Sequence, residues 1–246
     1  MENQPTAPEV QSLGSRIMNV FASPGEAFDG ITAMESKTSL WLVPMLTAMV
    51  VGVLIAVVFS TNPTIKGQIV EMQTKQMQKS VEQGKMTQEQ ADRAVQGMES
   101  MGMLFAVIAA IGAVIVIALV YFIASLLCWL VGKFALKAPH GYTDYLAMYG
   151  TAGWIGVLGM VVTCLLAVGM GSMFATPSAA LAVVSNYDIG NSTHRVLSKI
   201  ELFSIWQAVV LGIGLSKLTG KSTGVGVGIA LGLLVAVDLL MISLGR

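Results

Sequence analysis

The sequence carries little charge for its length. Only 11% of its 246 residues are Asp, Glu, Lys or Arg, whereas a soluble domain has about 25%. Because 54% of the residues are hydrophobic, the shortage of charge predicts that lipid surrounds most of the chain. The 14 basic residues are balanced by 14 acidic ones, so no basic surface is expected to follow a nucleic-acid backbone. We therefore predict no nucleic-acid partner.

Cysteine and histidine are also scarce. Cys128 and Cys164 both fall in apolar runs, which is typical of buried small hydrophobic residues. His140 and His194 lie in separate loops, and the sequence contains neither an HExxH motif nor a recognisable Ser/His/Asp set. The sequence thus offers no catalytic residues, no metal site and no cofactor site, and we predict that the protein is not an enzyme.

Five long apolar runs dominate what remains. A helix needs about 20 apolar residues to cross a bilayer, and a single strand cannot cross it. The predicted spans are about 40–60, 103–132, 145–167, 200–218 and 225–244. A shorter run, 174–186, predicts an interfacial or re-entrant helix, with a sixth span as the alternative. The predicted fold is an all-α polytopic membrane domain over residues 40–246.

Residues 1–39 form an N-terminal amphipathic segment. Its apolar spacing predicts two short surface helices over 9–36, separated at Ser23-Pro24. Ser23 is predicted to cap the second helix, with Pro24 at its first position and Glu26 three residues after the cap. We expect the apolar face of this segment to meet lipid or the helix bundle.

Residues 62–100 predict a polar helical hairpin outside the membrane. Asn62-Pro63 can start its first helix, Gly84 can end it, and Thr87 with Gln90 has the spacing of a capping box. The methionines of this region suit helix–helix contacts, and Cu(I) binding is the alternative.

Glycines recur at helical spacing in two spans. The stripe on the last span consists of Gly220, Gly224, Gly228 and Gly232, and the third span has Gly156 and Gly159. Small residues let another helix approach closely. We predict packing within the bundle, and a seam between two copies of the chain is the alternative.

Asp238 is the one acidic residue well inside a predicted span. An acidic side chain there costs about 2.5–3.5 kcal/mol on insertion scales, so it faces a partner, water or the interface. Two interpretations stay open, a side chain that reaches the interface and a proton or cation site.

Several short motifs occur in an order that resembles the Yip family, the Ypt/Rab-interacting membrane proteins, in its bacterial form. The motif residues are Phe21, Ser23, Pro24, Trp41, Pro44, Tyr149, Gly150, Phe203, Trp206, Gly212 and Gly214. This resemblance implies a multi-pass protein of the cell membrane with five spans, a cytoplasmic N-terminus, and an extracytoplasmic hairpin and C-terminus. Charge does not set the orientation, because basic residues show no clear excess on either face. The first span lacks the acidic motif of the eukaryotic branch, so a small GTPase partner is not predicted.

The favoured function is therefore a non-catalytic membrane protein that binds partners or organises the membrane. Its expected partners are the lipid bilayer and other membrane proteins, including a second copy of itself. The alternative is a small transporter or lipid-moving protein that uses the glycine-lined spans and Asp238.

Overall fold

The computed structural model describes residues 11–100 and 103–244, and this part of the chain is helical and forms no β-sheet. Its helices are α1 (Leu13–Ala22), α2 (Pro24–Ala27), α3 (Thr38–Thr61), α4 (Pro63–Glu82), α5 (Gln88–Ser100), α6 (Met103–Leu130), α7 (Tyr142–Met170), α8 (Ser192–Lys199), α9 (Leu202–Thr219) and α10 (Thr223–Leu244). Shorter 3-10 turns cover Ile31–Ala33 and Ala179–Asn186, and a π-helical turn, Val131–Ala135, follows α6.

Five of the described helices are long and apolar enough to cross a membrane. They are Thr38–Thr61, Met103–Ala135, Tyr142–Met170, Leu202–Thr219 and Thr223–Ser243. This confirms the all-α polytopic class. The apolar run 174–186 is different, because it folds as the eight-residue 3-10 helix Ala179–Asn186, kinked at Val183. Eight residues are too few to cross a bilayer, so no sixth span arises in that run.

The fourth span begins two residues later than predicted. Ile200 leaves the helical conformation, with φ −82° and ψ 72°, and its carbonyl accepts a hydrogen bond of 3.0 Å from Ala179 N–H. Glu201 pairs with Ser178 in an isolated antiparallel bridge. The residues just before this span form the separate helix α8.

The chain divides into two compact units. The first comprises the described parts of 1–48, 117–159 and 202–246, and the second comprises the described parts of 49–116 and 160–201. Buried side chains of the first unit include Val20, Phe28, Tyr145, Met148 and Leu215, and those of the second include Ile65, Ala91, Ala167, Ala175 and Ala180. Helices α3, α6 and α7 continue from one unit into the other.

Candidate functional site

A buried arginine shapes the N-terminal segment in the first unit. Arg16 in α1 is only 1% exposed and donates hydrogen bonds to the carbonyls of Ala27 at 2.7 Å and Asp29 at 2.8 Å. Burial lowers the pKa of the Arg16 guanidinium, and the Asp29 charge opposes this shift. The Asp29 carboxylate also pairs with Lys217 Nζ of α9 at 2.8 Å. A guanidinium can serve two carbonyls at once, so Arg16 ties α1 to the turn after α2.

The apolar face of this segment packs on α9. The Phe21 ring lies edge-on to Trp206, with 5.7 Å between ring centroids. Phe28 is 2% exposed, and a Cβ built on Gly214 would lie 2.8 Å from its ring. The glycine thus leaves room for the phenylalanine. Of the two predicted surroundings for this face, lipid or bundle, these aromatic side chains meet the bundle.

The predicted Ser23 cap is wrong. The Ser23 side chain makes no capping hydrogen bond, and the one-turn helix Pro24–Ala27 is closed instead by Glu26 N–H donating to the Ser23 carbonyl at 2.9 Å. The serine that caps a helix here is Ser12, whose Oγ accepts from Ser15 N–H at 3.1 Å. The second surface helix stops after one turn, because the chain turns at Gly30, which has a positive φ of 70°.

The Trp41 and Pro44 motif lies where α3 meets α7. Proline has no N–H, so Pro44 cannot donate a hydrogen bond to the carbonyl four residues earlier, that of Leu40. Helix α7 comes close at this point through Gly150, where a Cβ would lie 2.5 Å from the Leu40 carbonyl oxygen. Two separate sequence motifs thus form one close contact between helices.

An ion pair holds the start of α7. Lys37 Nζ lies 3.1 Å from Asp144 Oδ1, and the two side chains are 18% and 11% exposed. The other carboxylate oxygen of Asp144 accepts a 3.0 Å hydrogen bond from Gly141 N–H. The carboxylate at this helix N-terminus therefore serves both as a local cap and as an anchor for the chain that precedes α3.

The packing predicted for the glycine stripe of the last span is not found within the described chain. A Cβ on Gly224, Gly228 or Gly232 would meet nothing within 4 Å, and all three positions are exposed. Gly220 lies outside the helix, with a positive φ of 67° in the turn between α9 and α10. The alternative, a seam between two copies, stays a prediction.

Helices α9 and α10 meet on the other side of α10, at Gly226. A Cβ on Gly226 would collide with the Gly212 carbonyl and the Ser216 hydroxyl, and one on Gly212 would lie 2.7 Å from Val227 N. Ser216 is 6% exposed, and its hydroxyl reaches the Gly212 carbonyl at 2.9 Å. The two backbones touch here, which only glycine permits.

Helix α9 also lies against the glycines of α7. A Cβ on Gly159 would lie 2.7 Å from the Cβ of Phe203, and one on Gly156 would lie 2.8 Å from the amide oxygen of Gln207. Phe203 belongs to the motif that includes Trp206, and their ring centroids are 6.1 Å apart. This motif therefore forms contacts between helices in the first unit.

A cavity of about 340 Å³ lies among four spans of the first unit. Its lining comprises Val120, Ala124, Leu127 and Cys128 of α6, Tyr149 of α7, Ser204, Gln207, Ala208 and Leu211 of α9, and Ala230, Leu233, Leu234 and Val237 of α10. Tyr149 is 9% exposed and is joined to Gln207 by a side-chain hydrogen bond. Asp238 is half-buried and directly follows the lining residue Val237.

The hairpin of the second unit is anchored at its base. The Gln68 amide donates to the Gly171 carbonyl at 2.9 Å and accepts from Met173 N–H at 2.8 Å. At the tip, the predicted capping box is confirmed, since Thr87 N–H donates to Gln90 Oε1 at 2.9 Å and Gln90 N–H donates to Thr87 Oγ1 at 3.2 Å. The hairpin is thus held at both ends.

A polar cleft of about 300 Å³ lies beside that anchor. Glu71 and Lys75 of α4 line it and form an exposed ion pair at 2.7 Å. The hydrogen bond and charge of Lys75 lower the pKa of Glu71, and the same contacts raise the pKa of Lys75. The cleft is also lined by Tyr187 and Phe174, whose rings stack with centroids 4.6 Å apart.

Arg16, Gln68 and Gln207 have structural roles that were not identified from the sequence. The available signal was spacing, because Arg16 lies four residues before the buried Val20 and so shares its face. Over residues 11–100 and 103–244, no group of three or more His, Cys, Asp or Glu could hold a metal ion.

The apolar spans, close glycine contacts and polar hairpin define a polytopic α-helical membrane protein. Residues 18–244 match the Yip1 domain, so the chain belongs to the Yip1 domain family. It is similar to the membrane protein YknW of Bacillus subtilis (strain 168), with 27% identity over 230 residues that cover 92% of this chain and 86% of the relative. No solved structure matches the chain. The family resemblance seen in the sequence motifs is confirmed.

Proposed function

We propose that this protein is a non-catalytic membrane protein that binds a second membrane protein through the hairpin α4–α5. The observation that carries the proposal is the pair of hydrogen bonds from Gln68, which fixes the base of the hairpin to the chain just after α7. A docking element held in one orientation loses less conformational freedom on binding than a mobile one.

The surface of the hairpin fits a protein partner. Its two arms pack together at Ala91, which is 3% exposed, while charged side chains of both signs stay exposed along both arms. Examples are Lys79 and Glu82 on α4 and Asp92 on α5. Mixed charge of this kind favours electrostatic complementarity with a specific partner over attraction to an anionic lipid surface.

The test is site-specific photo-cross-linking of the full chain in its native membranes. A photoreactive residue at Gln83, near the hairpin tip, is expected to give one discrete cross-linked protein. Gln68→Leu should reduce that product several-fold, because the base of the hairpin is released. Gln78→Leu, an exposed glutamine on the same helix, is the matched control and should leave it unchanged. No discrete product, or equal yields from both variants, would contradict the proposal.

The orientation belongs to the same proposal. The family resemblance supports a cytoplasmic N-terminus and an extracytoplasmic hairpin. Single cysteines at the exposed positions Glu35 and Gln83, in a background without native cysteines, can be probed with a membrane-impermeant thiol reagent in intact cells. Labelling is expected at Gln83 and not at Glu35, and the reverse pattern would invert the topology.

A further inference from the structure

The cavity of the first unit is a partly open pocket, lined mostly by apolar side chains of helices that are long enough to span a membrane. Its volume, about 340 Å³, falls in the range of ligand pockets, about 300–1,000 Å³. By comparison, an engineered apolar protein cavity of about 150 Å³ already takes up benzene. The space is therefore large enough for an extended apolar group.

The main polar side chains of the lining are already hydrogen-bonded and do not need water as a partner. Tyr149 and Gln207 bond to each other, and the Gln207 amide rests over Gly156. Most of the other lining side chains are Ala, Val or Leu. Buried water needs two to four polar partners, and a cavity without them stays dry. An apolar occupant is thus favoured over solvent.

One end of the cavity is continuous with the outer surface of the spans. Val120 of α6 is 48% exposed and Val237 of α10 is 43% exposed, whereas Cys128, Ala208 and Ala230 at the enclosed part are between 3% and 7% exposed. The neighbouring exposed surface is also apolar, with Leu119 at 53% and Leu239 at 60%. In a bilayer, the molecules that meet such a surface are lipid acyl chains.

We infer that this cavity is a binding site for one acyl chain of a membrane lipid, which enters between α6 and α10 beside Val120 and Val237. The chain extends toward Ala230 and Cys128, and the lipid headgroup stays outside the cavity. The inference does not depend on the hairpin proposal, because the cavity belongs to the first unit and the hairpin to the second.

Native mass spectrometry of the full chain, extracted from its own membranes in mild detergent, tests the site. The wild-type protein should retain one phospholipid at collision energies that strip peripheral lipid. Ala230→Phe places a ring in the cavity and should lower the retained fraction by about tenfold, because the ring fills space that the acyl chain would occupy. Ala236→Phe is the control, because Ala236 lies on an exposed part of the same helix and does not line the cavity.

A second measurement uses the unmodified chain, in case Ala230→Phe fails to fold. The protein is reconstituted with a phosphatidylcholine that carries a diazirine on one acyl chain, irradiated, and digested for peptide mapping. Adducts at Cys128 or Ala208 are expected, because lipid at the outer surface cannot reach these buried side chains. Adducts confined to exposed residues such as Leu239 would overturn the inference. Equal lipid retention by Ala230→Phe and Ala236→Phe would also overturn it.

Discussion

Adding a single methyl group should have opposite effects at two neighbouring glycines of α10. Gly226→Ala introduces a Cβ that collides with the Gly212 carbonyl and the Ser216 hydroxyl and lies 3.0 Å from Ser216 N. Gly228→Ala introduces a Cβ with nothing within 4 Å. Both changes replace glycine by alanine inside one helix, so the comparison isolates the contact between α9 and α10.

The magnitude follows from two terms. Alanine is favoured over glycine in a helix by about 0.8–1.0 kcal/mol, and both variants gain this. Overpacking costs about 1–3 kcal/mol and applies only at Gly226, where the obstructing atoms include backbone that cannot rotate away. Relative to the wild type, Gly228→Ala should therefore be neutral to stabilising, while Gly226→Ala should lower the free energy of unfolding by up to about 2 kcal/mol.

The assay is thermal unfolding of both purified variants in one detergent. A difference of about 2 kcal/mol corresponds to about 4–8 °C for a chain of this size, with Gly226→Ala unfolding at the lower temperature. If Gly226→Ala unfolds at the same temperature as Gly228→Ala, or above it, the close contact at Gly212 does not exist. If Gly228→Ala is the destabilised variant, the exposed stripe is a seam with a second copy.

Three further perturbations test other contacts. Arg16→Met should speed hydrogen exchange in the turn after α2, because two carbonyls lose their hydrogen-bond donor and each loss costs about 1–3 kcal/mol of stability. Ser23→Ala is the control and should leave exchange unchanged, since the Ser23 side chain makes no capping hydrogen bond. Equal exchange in the two variants would refute this role of Arg16. Thr87→Ala should weaken the start of α5 by about 0.5–2 kcal/mol, and unchanged exchange there would count against the capping box. The pKa of Glu71 is lowered by the Lys75 hydrogen bond and charge, so its contribution to α4 is present above the unfolded pKa and is lost as the pH falls through the folded pKa. The protection of α4 amides, corrected for the intrinsic exchange rate, should therefore fall at acid pH, and Glu71→Gln should reduce that pH dependence.

Residues far apart in the sequence meet in the first unit, where glycines leave space for side chains or backbone of a neighbouring segment. Phe28 needs the space left at Gly214, and the Leu40 carbonyl meets α7 at Gly150. Such contacts need small residues on one helix opposite bulky or backbone atoms on another. Several of the short motifs that carry the family resemblance are therefore contacts between helices.

The sequence alone determined the features that depend on local composition. Apolar length set the five spans, because hydrocarbon thickness fixes how many apolar residues must be continuous. Local hydrogen bonding set the hairpin, where Asn62 accepts from Ile65 N–H at 3.1 Å, as expected of a cap, and Gly84 takes a positive φ of 68°. The Thr87–Gln90 box belongs to the same kind, since all of its partners lie within four residues.

Only the tertiary structure decided which face of a helix is used. Gly224 and Gly228 lie on one small-residue face of α10, and Gly226 lies on a different face. The periodic pattern does not show which of these faces α9 contacts, and the structure shows that it is the face of Gly226. Similarly, Ser23 has the residue type of a cap, yet its side chain makes no capping hydrogen bond, and the carbonyls of Ala27 and Asp29 bond instead to the distant Arg16. These outcomes depend on atoms many residues away in the chain. Local pattern therefore specified the helices, and the positions of their neighbours decided which residues hold them together.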